Sequence, residues 1–449
     1  MTFSTELIRK YDVAVPRYTS YPTVPLWENN LDELTWKKKV QKAYRDFGHE
    51  EGIQLYIHLP YCESLCTYCG CNKRITKNHD TEKPYITALI QEWEQYLSIL
   101  PDKPKLAGIH LGGGTPTFFS PENLFELLNY IQKTSAVLPD AEFSFEGHPN
   151  NTTFEHLVTL RLLGFARVSY GIQDFSHKVQ EAIHRIQPFE KVKKATENAR
   201  LVGYDAINFD LIYGLPHQTV ESIEETFKLV AKLKPERIAF YSYAHVPSVF
   251  PAQKSFESFL PLKEEKRLLY ETGKKLLNDM GYHEIGMDHF ALKEDALFQA
   301  KENGTLHRNF MGYTTQSSKI LLGLGNSAIS DIHYAYAQNT KDIDLYKEQT
   351  NLNHFPLSRG HLMSLEDIKT RQTILELICK GETKIGGSVW NMDTINQITE
   401  MQKDGLLDVK NGVVTVLEVG KAFIRNICSL FDHRMRAQKA KKYVFSKAI

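Results

Sequence analysis

Six short runs of β-branched and aromatic residues recur at Ile53–Leu59, Gly108–Leu111, Glu142–Phe145, Ala166–Tyr170, Ala206–Ile212 and Arg237–Tyr243, with helical patterns between them. Strands alternating with helices read as successive βα units, because parallel neighbours need a long crossover connection. Val220–Leu233 and Lys263–Met280 carry apolar residues at helical spacing opposite charged faces, as outer-layer helices do. Ser120-Pro121-Glu122 is a helix start, with a Ser cap, Pro at the first helical position and an acid in the first turn. Each strand runs into a polar or glycine-rich segment: Tyr61-Cys62, Gly112-Gly113-Gly114-Thr115-Pro116, Glu146-Gly147-His148-Pro149, Gly171-Ile172-Gln173, Tyr213-Gly214-Leu215-Pro216 and Ala244-His245-Val246-Pro247. A parallel barrel builds its active site from the loops at that end. Six units predict an α/β chain folded as an open, partial (β/α)6 barrel.

Two segments lie outside this rhythm. Residues 1–45 form an N-terminal arm containing Pro16-Arg17-Tyr18-Thr19-Ser20-Tyr21-Pro22-Thr23, too polar and proline-bounded for a helix. The barrel is expected over 46–355 and a small, mainly helical C-terminal domain over 356–449. In that domain Gly405-Leu406-Leu407-Asp408, Asn411-Gly412 and Val413 to Leu417 read as a helix followed by a hairpin, as in winged-helix modules; a lid, a partner site and a structural role are all open to it.

Lys+Arg and Asp+Glu both number 54 in 449 residues, so no excess of positive charge is available to hold nucleic acid through its phosphates. No run approaches the ~20 apolar residues of a membrane span, and Glu6, Arg9, Lys10 and Asp12 stand where a leader needs an apolar stretch. A cytoplasmic location is expected. Six cysteines are too few for a disulfide scaffold, yet Cys62, Cys66, Cys69 and Cys71 fall within ten residues. Three soft thiolates on one short loop suit an iron–sulfur cluster or zinc. Zinc wants four closed ligands, commonly two separated pairs, whereas here a tight triplet is followed by Cys71. A four-iron cluster held by three cysteines leaves one iron open to a small molecule.

Cys62-x-x-x-Cys66-x-Tyr68-Cys69, together with Gly112-Gly113-Gly114-Thr115-Pro116 at the next strand end, resembles the signature of the radical S-adenosylmethionine superfamily. The resemblance narrows through Pro16 to Thr23, His58, Cys69-Gly70-Cys71-Asn72-Lys73 and Asp210-Leu211-Ile212-Tyr213-Gly214-Leu215-Pro216. It continues through His307-Arg308-Asn309-Phe310, Gly312-Tyr313-Thr314-Thr315, Gly325 and Ser327-Ala328-Ile329-Ser330. Together these are similar to the oxygen-independent coproporphyrinogen III dehydrogenase family. That resemblance implies one [4Fe–4S] cluster on Cys62, Cys66 and Cys69 and two S-adenosyl-L-methionine molecules near it. It also implies oxidative decarboxylation of the ring A and B propionates of coproporphyrinogen III to vinyl groups, giving protoporphyrinogen IX in anaerobic haem biosynthesis. An external low-potential donor of flavodoxin or ferredoxin type and a monomeric chain are expected with it.

By the same resemblance Tyr56, Tyr68, Gly113, Gly114, Thr115, Glu146, Gln173, Arg185, Asp210, Ala244 and Ile329 line the cofactor sites. Glycines admit backbone approach, carboxylates hold a ribose or an ammonium, and Arg clamps a carboxylate by two parallel bonds. No protein nucleophile or conventional acid–base residue is required. Two departures stand out: Glu146-Gly147-His148-Pro149 replaces the family's Glu-Val-Asp-Pro, and Met311 stands where the family has Gln. Cys71 is a fourth ligand or a neighbouring thiol that leaves the cluster open; Cys379 and Cys428 read as inert core thiols. His58 is either a neighbour of the cluster or a packed strand histidine. The basic tail of Arg434, Arg436, Lys439, Lys441 and Lys442 reads as a solvated face, whereas Arg17 and Arg308 are candidates for propionate binding. Two related classes compete, haem-binding chaperones and haem-degrading methyltransferases; Cys71 and the arm motif speak against the first.

Overall fold

The computed structural model describes residues 5–385 and 392–437. Six parallel strands stand side by side in chain order: β1 (Ile53–Leu59), β2 (Lys105–Gly113), β3 (Ala136–Gly147), β4 (Phe165–Gln173), β5 (Ala206–Tyr213) and β6 (Arg237–Ser242). The connecting and following helices are α1 (Glu82–Ile99), α2 (Pro121–Lys133), α3 (Phe154–Leu162), α4 (Phe189–Val202), α5 (Val220–Leu233) and α6 (Lys263–Asp279). The Ser120 hydroxyl caps α2 by accepting the Asn123 N–H at 3.2 Å, with Pro121 at the first helical position.

Alternation along the strands separates core from site. Leu55, Ile57, Ile109, Leu111, Phe143, Phe145, Ile207 and Phe209 join the buried cluster under the helices. The residues between them, such as Tyr56, His110, Ser144, Glu146, Asn208 and Asp210, are partly or fully polar and fill the other face. The core therefore sits between sheet and helices, and the concave face is left for chemistry.

The sheet is extended beyond the six units to twelve strands. Leu321–Leu324 adds parallel to β1, followed antiparallel by Ile329–Asp331, Ala335–Asn339 and Leu357–Leu362. At the other edge His289–Ala291 pairs antiparallel with β6, and His283–Gly286 pairs with it in turn. The βα alternation thus ends with α6, earlier than the expected 355, because the strands that follow pair antiparallel, apart from Leu321–Leu324 on β1. The two edges are not paired with each other, so the barrel is partial and open.

After the sheet come a helix over Leu365–Lys380, a strand over Glu382–Lys384, a helix over Met392–Lys403 and a hairpin of Leu407–Lys410 with Val413–Val416. The hairpin turns at Asn411 and Gly412, both at positive φ (51° and 77°). Tyr11, Tyr18 and Tyr21 of the arm share a buried cluster with Ile285, Leu306 and Tyr313 and with Ile374, Ile427 and Phe431. The Tyr18 hydroxyl donates to Asp432 (3.1 Å), Arg425 Nε donates to the Pro16 carbonyl (3.1 Å), and Arg17 pairs with Asp288 (3.1 Å). Arm, sheet extension and C-terminal helices are one packed unit. Among the described residues no helix is long and apolar enough to cross a membrane. Lys439, Lys441 and Lys442 lie outside the described residues; Arg434 pairs with the fully buried Asp367 at 2.5 Å, so this part of the basic segment is not a solvated face.

Candidate active site

The cysteine loop leaves β1 at its C-terminal end and is tied down on both sides. Tyr61–Cys62 bridges Arg74–Ile75, and the Thr67 N–H donates to the Ile183 carbonyl at 3.1 Å. Cys66 is buried, Cys62 and Cys69 are half-buried and Cys71 is exposed. Each sulfur has a different partner. Cys62 Sγ lies 3.3 Å from the Thr115 hydroxyl, and Arg185 Nη1 donates to Cys66 Sγ at 3.5 Å. Burial pushes the Cys62 thiol up to about 11 against the Thr115 hydroxyl. Cys69 and Cys71 share a hydrogen bond that lowers the first and raises the second; Lys73 adds to the acidity of Cys69.

The glycine motif closes over this loop from β2. The Gly114 and Thr115 N–H groups donate to the Leu59 and Tyr61 carbonyls at 2.8 and 2.9 Å. Gly113 has φ +113° and donates its N–H to Glu146 Oε2 at 3.2 Å. A Cβ on Gly112 would stand 3.0 Å from both Glu146 Oε1 and the Tyr56 ring, so these three residues enclose a cradle that only glycine leaves free. Burial raises the Glu146 carboxyl, but His110, with Nε2 at 3.6 Å, and the Gly113 N–H outweigh it and hold the group below its ordinary value. Two strands on, burial and the charge of Glu146 push Asp210 up to about 6, although the Ser169 hydroxyl and the Asn208 amide each donate to it at 2.9 Å.

Arg185 joins the two sides of the site. Its Nη2 donates to the Gly171 carbonyl at 2.7 Å while Nη1 reaches Cys66, and its buried Nε has no hydrogen-bond partner. Gln173 sits at φ +66° with its amide nitrogen over Gly171 beside this guanidinium. His148, in the departure from the family pattern, is driven down to about 2 by burial and then by Arg185, so a neutral ring stands near that cation. Met311 is half-buried at the turn between His307–Asn309 and Gly312–Thr314, donating its N–H to Asn309 Oδ1 at 2.9 Å.

Tyr68 and Ala244 are brought together by Gln253, a buried residue without a sequence signal. Its amide donates to the Tyr68 carbonyl at 3.1 Å and the Ala244 carbonyl at 3.3 Å, locking the cysteine loop to the sixth strand end. Ile329 stands apart from these groups, two strands from Tyr56, with its backbone against Gly323. His58 is buried, within 3.0 Å of the Tyr56 hydroxyl and 2.9 Å of the Asn72 carbonyl, so it braces the segment after Cys71. His110, Ser169, Asn208 and Gln253 are the members that strand and motif reading passed over.

No three His, Cys, Asp or Glu side chains among the described residues gather round a single metal ion. The donor set is three thiols spread along one loop, and the irons of a cluster stand apart in the same way. With the glycine cradle and the unpartnered Arg185 Nε beside Cys66, the residues present fit an iron–sulfur cluster bearing an amino-acid-like ligand.

Comparison with known proteins agrees with this geometry. The radical SAM superfamily matches residues 56–230. The oxygen-independent coproporphyrinogen III oxidase of Escherichia coli K12 is 37% identical over 99% of this chain and 98% of its own length. That of a Synechocystis strain is 35% identical over 100% of this chain and 98% of its own. A solved structure of the Escherichia coli coproporphyrinogen III oxidase, described as a radical SAM enzyme, superposes with a TM-score of 0.89 at 35% identity, covering 96% of this chain and 99% of that one. Matched over nearly its whole length at 37% identity, and sharing the fold of a solved member, the chain belongs to the oxygen-independent coproporphyrinogen III oxidase family of radical SAM enzymes.

Proposed function

We infer that this protein is an oxidoreductase of anaerobic haem and porphyrin biosynthesis that oxidises coproporphyrinogen III by radical S-adenosylmethionine chemistry. The observation that carries this reading is the whole-length match to coproporphyrinogen III oxidases, with cysteine loop and glycine motif at neighbouring strand ends. Cys62, Cys66 and Cys69 would hold the [4Fe–4S] cluster, with Cys71 beside Cys69 as a thiol outside the ligand set. When bound, the cluster and S-adenosylmethionine supply a one-electron reduction and a hydrogen-abstracting radical.

The chain's residues position those groups. Gly113, Gly114 and Thr115 allow backbone approach, and Glu146 accepts an ammonium or ribose donor in the Tyr56 and Gly112 cradle. Arg185 faces a carboxylate with Nε, while its Nη atoms are already held by Gly171 and Cys66. Asp210, braced by Ser169 and Asn208, and Gln173 line the same lumen, and Tyr68 and Ala244 flank it through Gln253. Ile329 borders a second cofactor molecule from the sheet extension. Each propionate on rings A and B loses one hydrogen atom, one electron and CO2 to become vinyl, so no protein nucleophile enters. A flavodoxin or ferredoxin supplies electrons, the chain acts as a monomer in the cytoplasm, and the unit after residue 355, with the arm, covers the barrel.

The test is incubation of anaerobically reconstituted protein with reductant, S-adenosylmethionine and either coproporphyrinogen III or haem. Two successive losses of CO2 and two hydrogens from the porphyrinogen are expected. A methylated or ring-opened haem, with coproporphyrinogen III untouched, would place the chain among haem-degrading enzymes.

A further inference from the structure

Arg308, in the strand His307–Asn309, is 7% exposed, and among the described residues no carboxylate pairs with its buried Nε and Nη1. Its guanidinium lies 4.7 Å from the Tyr313 ring, and its Nε and Nη1 are buried without a hydrogen-bond partner. A buried cation is costly unless paired, so this one is held ready for an anion. Neighbouring arginines are already matched: Arg17 to Asp288 at 3.1 Å, Arg167 to Glu142 at 3.3 Å, Arg237 to Asp295 at 2.6 Å and Arg371 to Asp331 at 2.8 Å. The structure thereby separates the two arginines that the sequence offers for propionates.

Other unsatisfied polar groups stand around the same hairpin. Gln54 Nε2 is buried without a partner while its Oε1 lies 3.5 Å from Asn309 Nδ2. His289 Nδ1 is likewise unpartnered, its ring 5.2 Å from that of Tyr313. Beside them a cavity of about 60 Å³ is lined by Arg308 and Asn309, by Ser20 and Tyr21 of the arm, and by Tyr336 and Arg371. A guanidinium fork offers a carboxylate two parallel N–H bonds.

We propose that Arg308 anchors a propionate carboxylate of the tetrapyrrole that is retained in the product, at the seam between arm, hairpin and C-terminal helices. The assignment rests on the functional reading above.

Coproporphyrin III, the oxidised and unreactive form with all four carboxylates, tests this by fluorescence titration of the holoprotein against its uncharged tetra-amide. Wild type is expected to prefer the tetracarboxylate. Arg308→Met should weaken the tetracarboxylate by tenfold or more, leave the tetra-amide nearly unchanged, and raise KM for coproporphyrinogen III more than it lowers kcat. Its Tm should equal or exceed that of wild type, because an unpaired buried charge is gone. Arg308→Lys, which keeps the charge without the fork, should fall between them. Unchanged preference for the tetracarboxylate in Arg308→Met, or equal loss of both ligands with a lowered Tm, overturns the anchor. Wild type that neither binds the porphyrin nor converts the porphyrinogen overturns the functional reading and the anchor with it.

Discussion

Cys62, Cys66 and Cys69 meet a hydroxyl, a guanidinium and a second thiol respectively, so the three sulfurs are not interchangeable even before a cluster binds. Replacing any one of them by Ser should abolish the cluster, whereas Cys71→Ser should keep iron and sulfide near the wild-type content. Equal loss in Cys71→Ser and Cys66→Ser would show four ligands. Glu146→Gln keeps the shape of the cradle but removes the charge beside Gly113 and His110. Formation of 5′-deoxyadenosine should drop by about 10- to 100-fold, the scale of one charge-assisted hydrogen bond; unchanged turnover would remove Glu146 from the site. The cysteines and glycines were legible because their spacing within one loop is itself the signal. His110, Ser169 and Asn208 were not, since each is a single polar residue inside an apolar run and acquires meaning only when neighbouring strands set it beside Glu146 or Asp210. Gln253 was hidden for the same reason, 185 residues from the carbonyl of Tyr68.

Among the elements, five of the six strand runs fell inside β1 to β5 and the sixth overran β6 only by Tyr243, because burial on one face imposes a two-residue alternation that survives in sequence. The strands from Leu321 to Leu362 carry three to six residues each, too few for a period to show, and their pairing is antiparallel. At Gly113 a Cβ would strike the His58 ring at 2.6 Å in a backbone region closed to L side chains, so the strand end itself would shift. One buried acid fixes the sheet extension to α1: Glu92 accepts the Gly325 N–H at 2.8 Å, the Tyr346 hydroxyl at 2.7 Å and the Asn339 amide at 2.6 Å. Burial, only partly offset by these bonds, pushes it from 4.5 up to about 7. The stability it contributes is complete below about pH 4.5 and is lost as pH rises through 7. Wild type should therefore lose about 3 kcal/mol against Glu92→Gln between pH 4.5 and 8. Urea unfolding at both pH values measures the difference, and a constant gap would deny the shift.

At the scale of the whole molecule, the arm is structural tissue. Tyr11, Tyr18 and Tyr21 are buried with C-terminal residues, and Trp27 stacks on Tyr336 at 5.4 Å. Each such ring is worth about 1.5–3 kcal/mol when buried. Deleting residues 1–30 should therefore strip hydrogen-exchange protection from the helices at Leu365–Lys380 and Ile424–Ser429 while the cysteine loop still takes up iron and sulfide. Protection retained in those helices would show that the C-terminal unit stands without the arm.

The bond from Arg425 to Pro16 also spans 409 residues, which becomes an interval of time when the chain is made. At ~5–20 residues per second that separation is roughly 20 to 80 s. Early in it the arm has nothing to pack against, because its partners from Ile285 to Tyr336 come late and those from Ile374 to Phe431 later still, whereas the cysteine loop at 62–69 is made near the start. Cluster delivery thus has a window, set by translation, before the last helices arrive and the arm is fastened across them.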